Sequence, residues 1–210
     1  RAGLEHGDFW GFNNSLAVAM GATMFRPTKK QRDAPAGAGK ARVKLLRWER
    51  LPDVVATHGA QMRALAAANA VVKDPRFLFT LPLWLAAGAE IEHVVITFRA
   101  IEDAVASRQA AGQSEFNERE LRNALTYGLG IITEAVLASG LSHSFIRFPD
   151  FLTDLDGLYD ALRFPSPVDK AAFVTAAQAL ETYRADGALS EEVASKERLV
   201  RDWLENLAHS

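Results

Sequence analysis

The 210-residue sequence contains no cysteine. That removes disulfides, thiolate metal sites and a cysteine nucleophile from consideration. It also fits a reducing compartment, and a cytoplasmic location is expected. No run of 18 apolar residues is present, so no membrane span is expected. The amino-terminal residues lack the long apolar stretch and A-x-A site of a secretory signal. The five histidines (His6, His58, His93, His143 and His209) form neither a His-x-His nor a His-Glu-x-x-His spacing, and no metal is expected. No Gly-x-Ser-x-Gly elbow supports a hydrolase triad. The nearest approach to a Walker loop is Gly37-Ala38-Gly39-Lys40-Ala41. It has Ala34 where its first glycine belongs and Ala41 where Ser or Thr should follow the lysine. It reads as a linker, and a nucleotide kinase, which needs that loop and Mg²⁺, is disfavoured.

Charge of one sign is also scarce: 24 basic and 26 acidic residues leave a net charge of −2. That excludes the broad positive field of a nucleic-acid binder, and no nucleic-acid partner is expected. The balance is uneven along the chain. Residues 26–50 hold nine basic and two acidic side chains, a net of +7, so the remainder carries −9. Within that stretch, 27–40 is rich in Pro, Gly and cations and reads as a flexible basic loop. It is either a solvated linker or a lid that attracts an anionic ligand.

Apolar residues make up 49 % of the chain, enough for a core, and the length suits one domain over 1–210. Periodicity predicts helices over 13–20, 52–70, 78–87 with a kink near Pro82, 101–111, 117–139, 150–162 and 168–182. A last helix starts at Ser190. Its seam of Val193, Val200, Leu204 and Leu207 packs either inward or against a second copy as a homodimer. Short apolar runs predict strands at 71–73, 93–98 and 144–148. The run at 93–98 (His-Val-Val-Ile-Thr-Phe) is continuous enough for burial on both faces. Strands alternating with helices imply an α/β fold, a mostly parallel sheet with helices on both faces. Function in such sheets gathers at the carboxyl ends of the strands.

Three segments follow those ends. Arg99 leaves the second strand, and Ser107 lies eight residues on. A guanidinium and a helix hydroxyl can both donate to a phosphate, or Arg99 can simply pair with Glu102 or Asp103. Lys73 and Asp74 follow the first strand. A lysine there can neutralise a leaving group and a carboxylate can take a proton; the pair can equally be a surface ion pair beside a proline turn. Phe148-Pro149-Asp150 follows the third. Phe9-Trp10-Gly11-Phe12 either lines an acceptor pocket or packs the first helix against the sheet. His58 and His93 read as core or boundary residues.

These residues carry a resemblance. Val72-Lys73-Asp74-Pro75-Arg76-Phe77 with Leu81-Pro82-Leu83-Trp84 resembles the KDPR…LPxW segment of bacterial-type P-loop sulfotransferases. The segment 93–107 (HVVITFRAIEDAVAS) is similar to their vvxVxRdPxxvaxSL segment, and 146–154 (IRFPDFLTD) to their vxYedLLxDP. Leu4-Glu5-His6 and Phe12-Asn13-Asn14-Ser15-Leu16 resemble their GyfE…lNdaLL region. The pieces keep the family's order over about 4–162.

The resemblance implies a helix-rich three-layer αβα domain. It would transfer a sulfuryl group from 3′-phosphoadenosine 5′-phosphosulfate to a hydroxyl or amine of a small-molecule or glycan acceptor, with no metal. It implies that Arg99 and Ser107 bind the 3′-phosphate and that Lys73 stabilises the leaving oxygen. Asp74 or Glu5 would take the acceptor's proton. Two departures accompany it. Ala100-Ile101 stand where the family has Asp or Asn and then Pro, and the Gly- and Ser/Thr-rich phosphosulfate loop has no counterpart before Leu4. The expectation is therefore either a sulfotransferase domain lacking that loop, or a non-catalytic relative that works by binding.

Overall fold

Phe9, Phe12, Asn13, Leu16, Ala17 and Met20 recur at intervals of three and four, and all six are buried. That is the stripe of a helix with one face in a core. The structure is a computed structural model and describes residues 7–22, 45–110, 118–148, 150, 153–164 and 167–186. In chain order the elements are α1 (Gly7–Ala19), a 3-10 turn (Trp48–Arg50), α2 (Leu51–Ala67), α3 (Phe77–Ala86) and β1 (His93–Phe98). Then come α4 (Ile101–Ala110), α5 (Glu118–Ser139), β2 (Ser142–Arg147), α6 (Leu155–Leu162) and α7 (Lys170–Asp186). Helix dominates, with a small parallel sheet, so the chain is helix-rich α/β among the described residues. The basic loop 27–40, the Gly37–Ala41 linker and the helix expected from Ser190 lie outside the described residues.

Contacts divide the chain into two compact units. The first gathers the described residues within Arg1–Ala67, Lys73–Ile91 and Arg99–Leu141; the second gathers those within Ala68–Val72, Glu92–Phe98 and Ser142–Ser210.

In the first unit α1 packs on α2 and α3, α2 on α3, and α3 and α4 on α5. The element α3 (FLFTLPLWLA) is apolar almost throughout, and Phe79, Thr80, Leu81, Leu83 and Trp84 are buried. Pro82 sits inside it without ending it. A proline there removes one ladder bond, and burial on several sides compensates. The sequence placed the seam of α5 on Leu121, Leu125, Leu129, Ile132 and Val136. The buried stripe is instead Leu121, Ala124, Gly128, Ile132 and Val136. The reason is close approach. A Cβ added at Gly128 would meet Leu78 Cγ at 2.7 Å and Phe79 Cε1 at 2.7 Å. Small residues let α3 lie against α5, and the leucines move to the flank. Gly128→Ala is therefore expected to destabilise the protein by about 1–2 kcal/mol in urea unfolding, since overpacking outweighs the helix-propensity gain of alanine. Gly130→Ala, where nothing lies within 4 Å of the added Cβ, is expected to be neutral or stabilising.

In the second unit β1 and β2 pair in parallel, from His93 opposite Ser142 to Phe98 opposite Arg147. Among the described residues these are the only two strands. The chain passes through α4 and α5 between them, as a parallel pair requires a long crossover. The expectation that 93–98 is buried on both faces is corrected: only Ile96 is buried, and Thr97 is exposed. Among the described residues no third strand pairs with either edge of this ladder. The strand expected at 71–73 does not form. Val71 and Lys73 are exposed, so pairing there buries little, and Asp74-Pro75 turns the chain at once. The strand expected at 144–148 begins two residues earlier, and the helix expected over 150–162 begins at Leu155. There Asp154 caps it, its Oδ1 accepting from Gly157 N at 2.8 Å. Tyr159, Phe164 and Phe173 form a triangle of rings 5.5–5.6 Å apart where α6 meets α7. On the surface beside them Asp160 and Asp156 hydrogen-bond the Lys170 ammonium and raise its pKa above the ordinary 10.5. Their small contribution is present below that pH and is lost as pH rises through the raised value.

Candidate functional site

The segment 73–76 is built around one carboxylate. Asp74 turns the chain by accepting on Oδ1 from the Arg76 backbone N at 2.8 Å, the local bond that makes Asp a turn residue. The Phe77 N–H also bonds Asp74 O at 3.0 Å, and this turn delivers the chain into α3. The same Oδ1 accepts from Arg76 Nη1 at 2.9 Å, with the Asp74 side chain only 1 % exposed. The other oxygen, Oδ2, accepts from Asn13 Nδ2 at 2.9 Å.

Asn13 is the hub that joins this turn to two helices. It stands on α1, fully buried. Its Oδ1 accepts from Trp84 Nε1 at 2.8 Å and from Thr80 Oγ1 at 2.9 Å, both on α3. Thr80 Oγ1 also lies 3.1 Å from Arg76 O, so its single hydrogen is shared between two acceptors. The Arg76 guanidinium carbon sits 4.8 Å from the centre of the Trp10 ring, a favourable position for a cation. Two opposite charges are thus buried together and bonded to each other through Arg76 Nη1 and Asp74 Oδ1, the pairing that makes a buried charge tolerable. Phe9 and Phe12 enclose Trp84 from α1. The Phe9 ring stacks at 5.3 Å and the Phe12 ring meets it edge-on at 5.7 Å. Of the two roles open to 9–12, the described contacts are those of packing, made with α2, α3 and the turn before α3 and not with the sheet.

Of the residues proposed from sequence, Lys73, Asp74 and Arg99 lie among the described residues with their side chains. Lys73 is exposed, one residue before the pinned Asp74, and it follows irregular backbone instead of a strand. Arg99 is half-buried and directly follows β1. Ser107 lies on α4, its side chain outside the described residues. Glu5 and His6 lie outside the described residues, as does Pro149. The structure brings Asp74 together with Asn13, Arg76, Thr80 and Trp84. Arg99 and Ser107 belong to a different segment, the exit of β1 and the helix it feeds. Glu102, weighed with Asp103 as a partner for Arg99, accepts from Arg122 Nη1 of α5 at 2.7 Å. The other Arg122 nitrogen donates to Glu118 at 2.8 Å.

Asn13, Arg76 and Trp84 stand inside the family-like segments, and the sequence alone gives them no role. The available signal was polarity out of place: Asn13 lies on the apolar face of α1 and Thr80 in an otherwise apolar α3.

No family model matches this chain, and no solved structure matches it. Two curated relatives share a 39-residue stretch at 77 % identity: the diaminobutyrate–2-oxoglutarate transaminases of Bordetella parapertussis and Bordetella bronchiseptica. The stretch is 19 % of this chain, and the chain spans about 9 % of the length of those relatives. A match that short shows no family for the whole chain.

Proposed function

We propose that the chain carries a three-layer, sulfotransferase-like domain that moves a sulfuryl group from 3′-phosphoadenosine 5′-phosphosulfate to a hydroxyl or amine of a small-molecule or glycan acceptor. The observation that carries the reading is the order parallel strand, Arg99, α4 with Ser107. It puts a half-buried guanidinium at a strand's carboxyl end, where α/β sheets bind ligands. The resemblance of 72–84, 93–107 and 146–154 to the sulfotransferase segments supports the same reading.

In the proposed reaction the acceptor oxygen or nitrogen attacks sulfur while the bond from sulfur to the leaving phosphate oxygen breaks. Lys73 meets the charge developing on that oxygen. Arg99 and Ser107 hold the 3′-phosphate and so align the transfer. Asp74, with both oxygens occupied, serves as a positioning residue that fixes the backbone next to Lys73. That leaves Glu5 as the proton acceptor among the residues read from the sequence.

A second reading is a non-catalytic protein of the same fold that binds without turning over. It draws on Ala100-Ile101 after Arg99 and on the engaged carboxylate of Asp74. Calorimetry of the 210-residue protein with 3′-phosphoadenosine 5′-phosphate tests the shared pocket. Arg99→Ala is expected to weaken binding about 10- to 100-fold, the loss of one charge-assisted contact, and Ser107→Ala about fivefold. Unchanged affinity in both variants removes the pocket. Binding without sulfuryl transfer selects the second reading.

A further inference from the structure

A separate polar cluster lies within the second unit, at the amino ends of the strands. His93 opens β1 and Ser142 opens β2, and the two are register partners. Ser144 lies two residues on and shares the face of Ser142. His93 Nδ1 lies 2.9 Å from Ser142 Oγ. His93 Nε2 lies 3.1 Å from Ala161 O and 3.1 Å from Ser144 Oγ. A carbonyl oxygen only accepts, so Nε2 carries the hydrogen. Nδ1 is then the bare nitrogen, and Ser142 donates to it. Ser142 Oγ in turn accepts from Arg163 Nη1 at 2.9 Å. Arg163 ends α6 with φ at 45°, the left-handed region where glycine is usual. An arginine held there, its guanidinium on a hydroxyl, is a backbone outlier that points to use.

We propose that Ser142 is an activated nucleophile, with His93 as its base, that takes acyl groups from small carboxylic esters. The arrangement has the three parts such a group needs: a nucleophile, a base in hydrogen-bond reach, and a third group orienting the base. Ser142 Oγ forms a bond to the acyl carbon as that carbon's bond to the ester oxygen breaks. The Ser142 proton passes to His93 Nδ1 and from there to the departing alcohol. Water then attacks the acyl carbon and gives its proton to His93 Nδ1, the bond from that carbon to Ser142 Oγ breaks, Oγ takes the proton back from His93, and the carboxylic acid leaves. Throughout, Ala161 O holds Nε2–H, and the Arg163 Nη1 hydrogen bond to Ser142 Oγ favours the charge that oxygen gains as its proton leaves. This chemistry is independent of sulfuryl transfer and of every residue assigned to it.

The test uses the full chain and a fluorophosphonate probe, which forms a stable adduct with activated serines. The expected result is one adduct per chain, placed on Ser142 by tandem mass spectrometry of the tryptic peptide 123–147. Ser142→Ala abolishes it and Ser144→Ala leaves it. His93→Gln slows labelling at least tenfold, with far-UV circular dichroism checking that helix is retained. Should His93→Gln fail to fold, the exposed Arg163→Gln takes its place, with labelling slowed at least threefold. No adduct on the folded chain, an adduct on another residue, or a rate indifferent to the variant read overturns the proposal.

Discussion

Trp84→Ala is expected to destabilise the first unit by about 3–5 kcal/mol, the usual cost of emptying a buried aromatic site. Typical domains are stable by about 5–15 kcal/mol, so the loss is a large share of the total. The reason lies in what the ring touches. Trp84 is 1 % exposed and meets Phe9, Phe12 and Phe77 at centroid distances of 5.3, 5.7 and 5.5 Å. Removing it takes the shared neighbour from three aromatic rings drawn from α1 and α3. It also leaves Asn13 Oδ1 with Thr80 as its remaining donor of the two. Trp84→Phe separates the effects, because it keeps one ring and removes the indole N–H. That variant is expected to lose about 1–2 kcal/mol, for one hydrogen bond and some volume. Urea unfolding followed at 222 nm reads both. Equal midpoints for the Ala and Phe variants would mean that ring packing is not what Trp84 supplies.

Helices were legible wherever apolar spacing ran long. α2, α3 and α5 lie within three residues of the ends read from sequence, because a stripe over several turns cannot be confused with alternation. α1 was read as starting at Asn13 but starts at Gly7. Its first turns hold Phe9 and Phe12, which extend the stripe of Leu16 and Met20, but Gly7 and Gly11 beside them carry the signal of a breaker. The error at 71–73 has a different origin. Two valines and a lysine look like a buried strand, yet a strand exists through its partner, and a three-residue window carries no information about pairing. The shift of the α5 stripe from Leu125 and Leu129 to Ala124 and Gly128 was hidden for a related reason. Hydrophobicity marks leucines as core, whereas close helix packing selects the smallest residue.

The candidate site was legible as residue types and opaque as contacts. Lys73-Asp74-Pro75-Arg76 stands out in the sequence because it follows the apolar run expected as a strand at 71–73. Its partner Asn13 lies 61 residues away in sequence, and no local pattern ties the two together. The Ser142–His93 pair was missed for the same reason: 49 residues separate them, and only the parallel register makes them neighbours. Reading polar residues on apolar faces as a class would have flagged Asn13 and Thr80. It would not have paired either with its partner.

Asp74→Ala is expected to cost about 3–5 kcal/mol, the penalty for leaving one half of a buried ion pair alone. Three donors lose their acceptor at once: Asn13 Nδ2, the Arg76 backbone N–H and Arg76 Nη1. The largest part of the cost is the stranded Arg76 charge, since its side chain is 8 % exposed. Asp74→Ala combined with Arg76→Met should therefore recover a good part of the loss, because removing both charges avoids an unpaired one. A double variant no more stable than the single one would show that the turn bond to the Arg76 N–H, and not the ion pair, is what Asp74 provides. Lys73→Ala is the contrasting change. Lys73 is exposed, and its loss should move stability by no more than about 0.5 kcal/mol. If the turn exists to hold Lys73 against a leaving oxygen, the two substitutions converge in one measurement. Both should lower sulfuryl transfer while leaving binding of 3′-phosphoadenosine 5′-phosphate through Arg99 intact, and only Asp74→Ala should lower the unfolding midpoint as well.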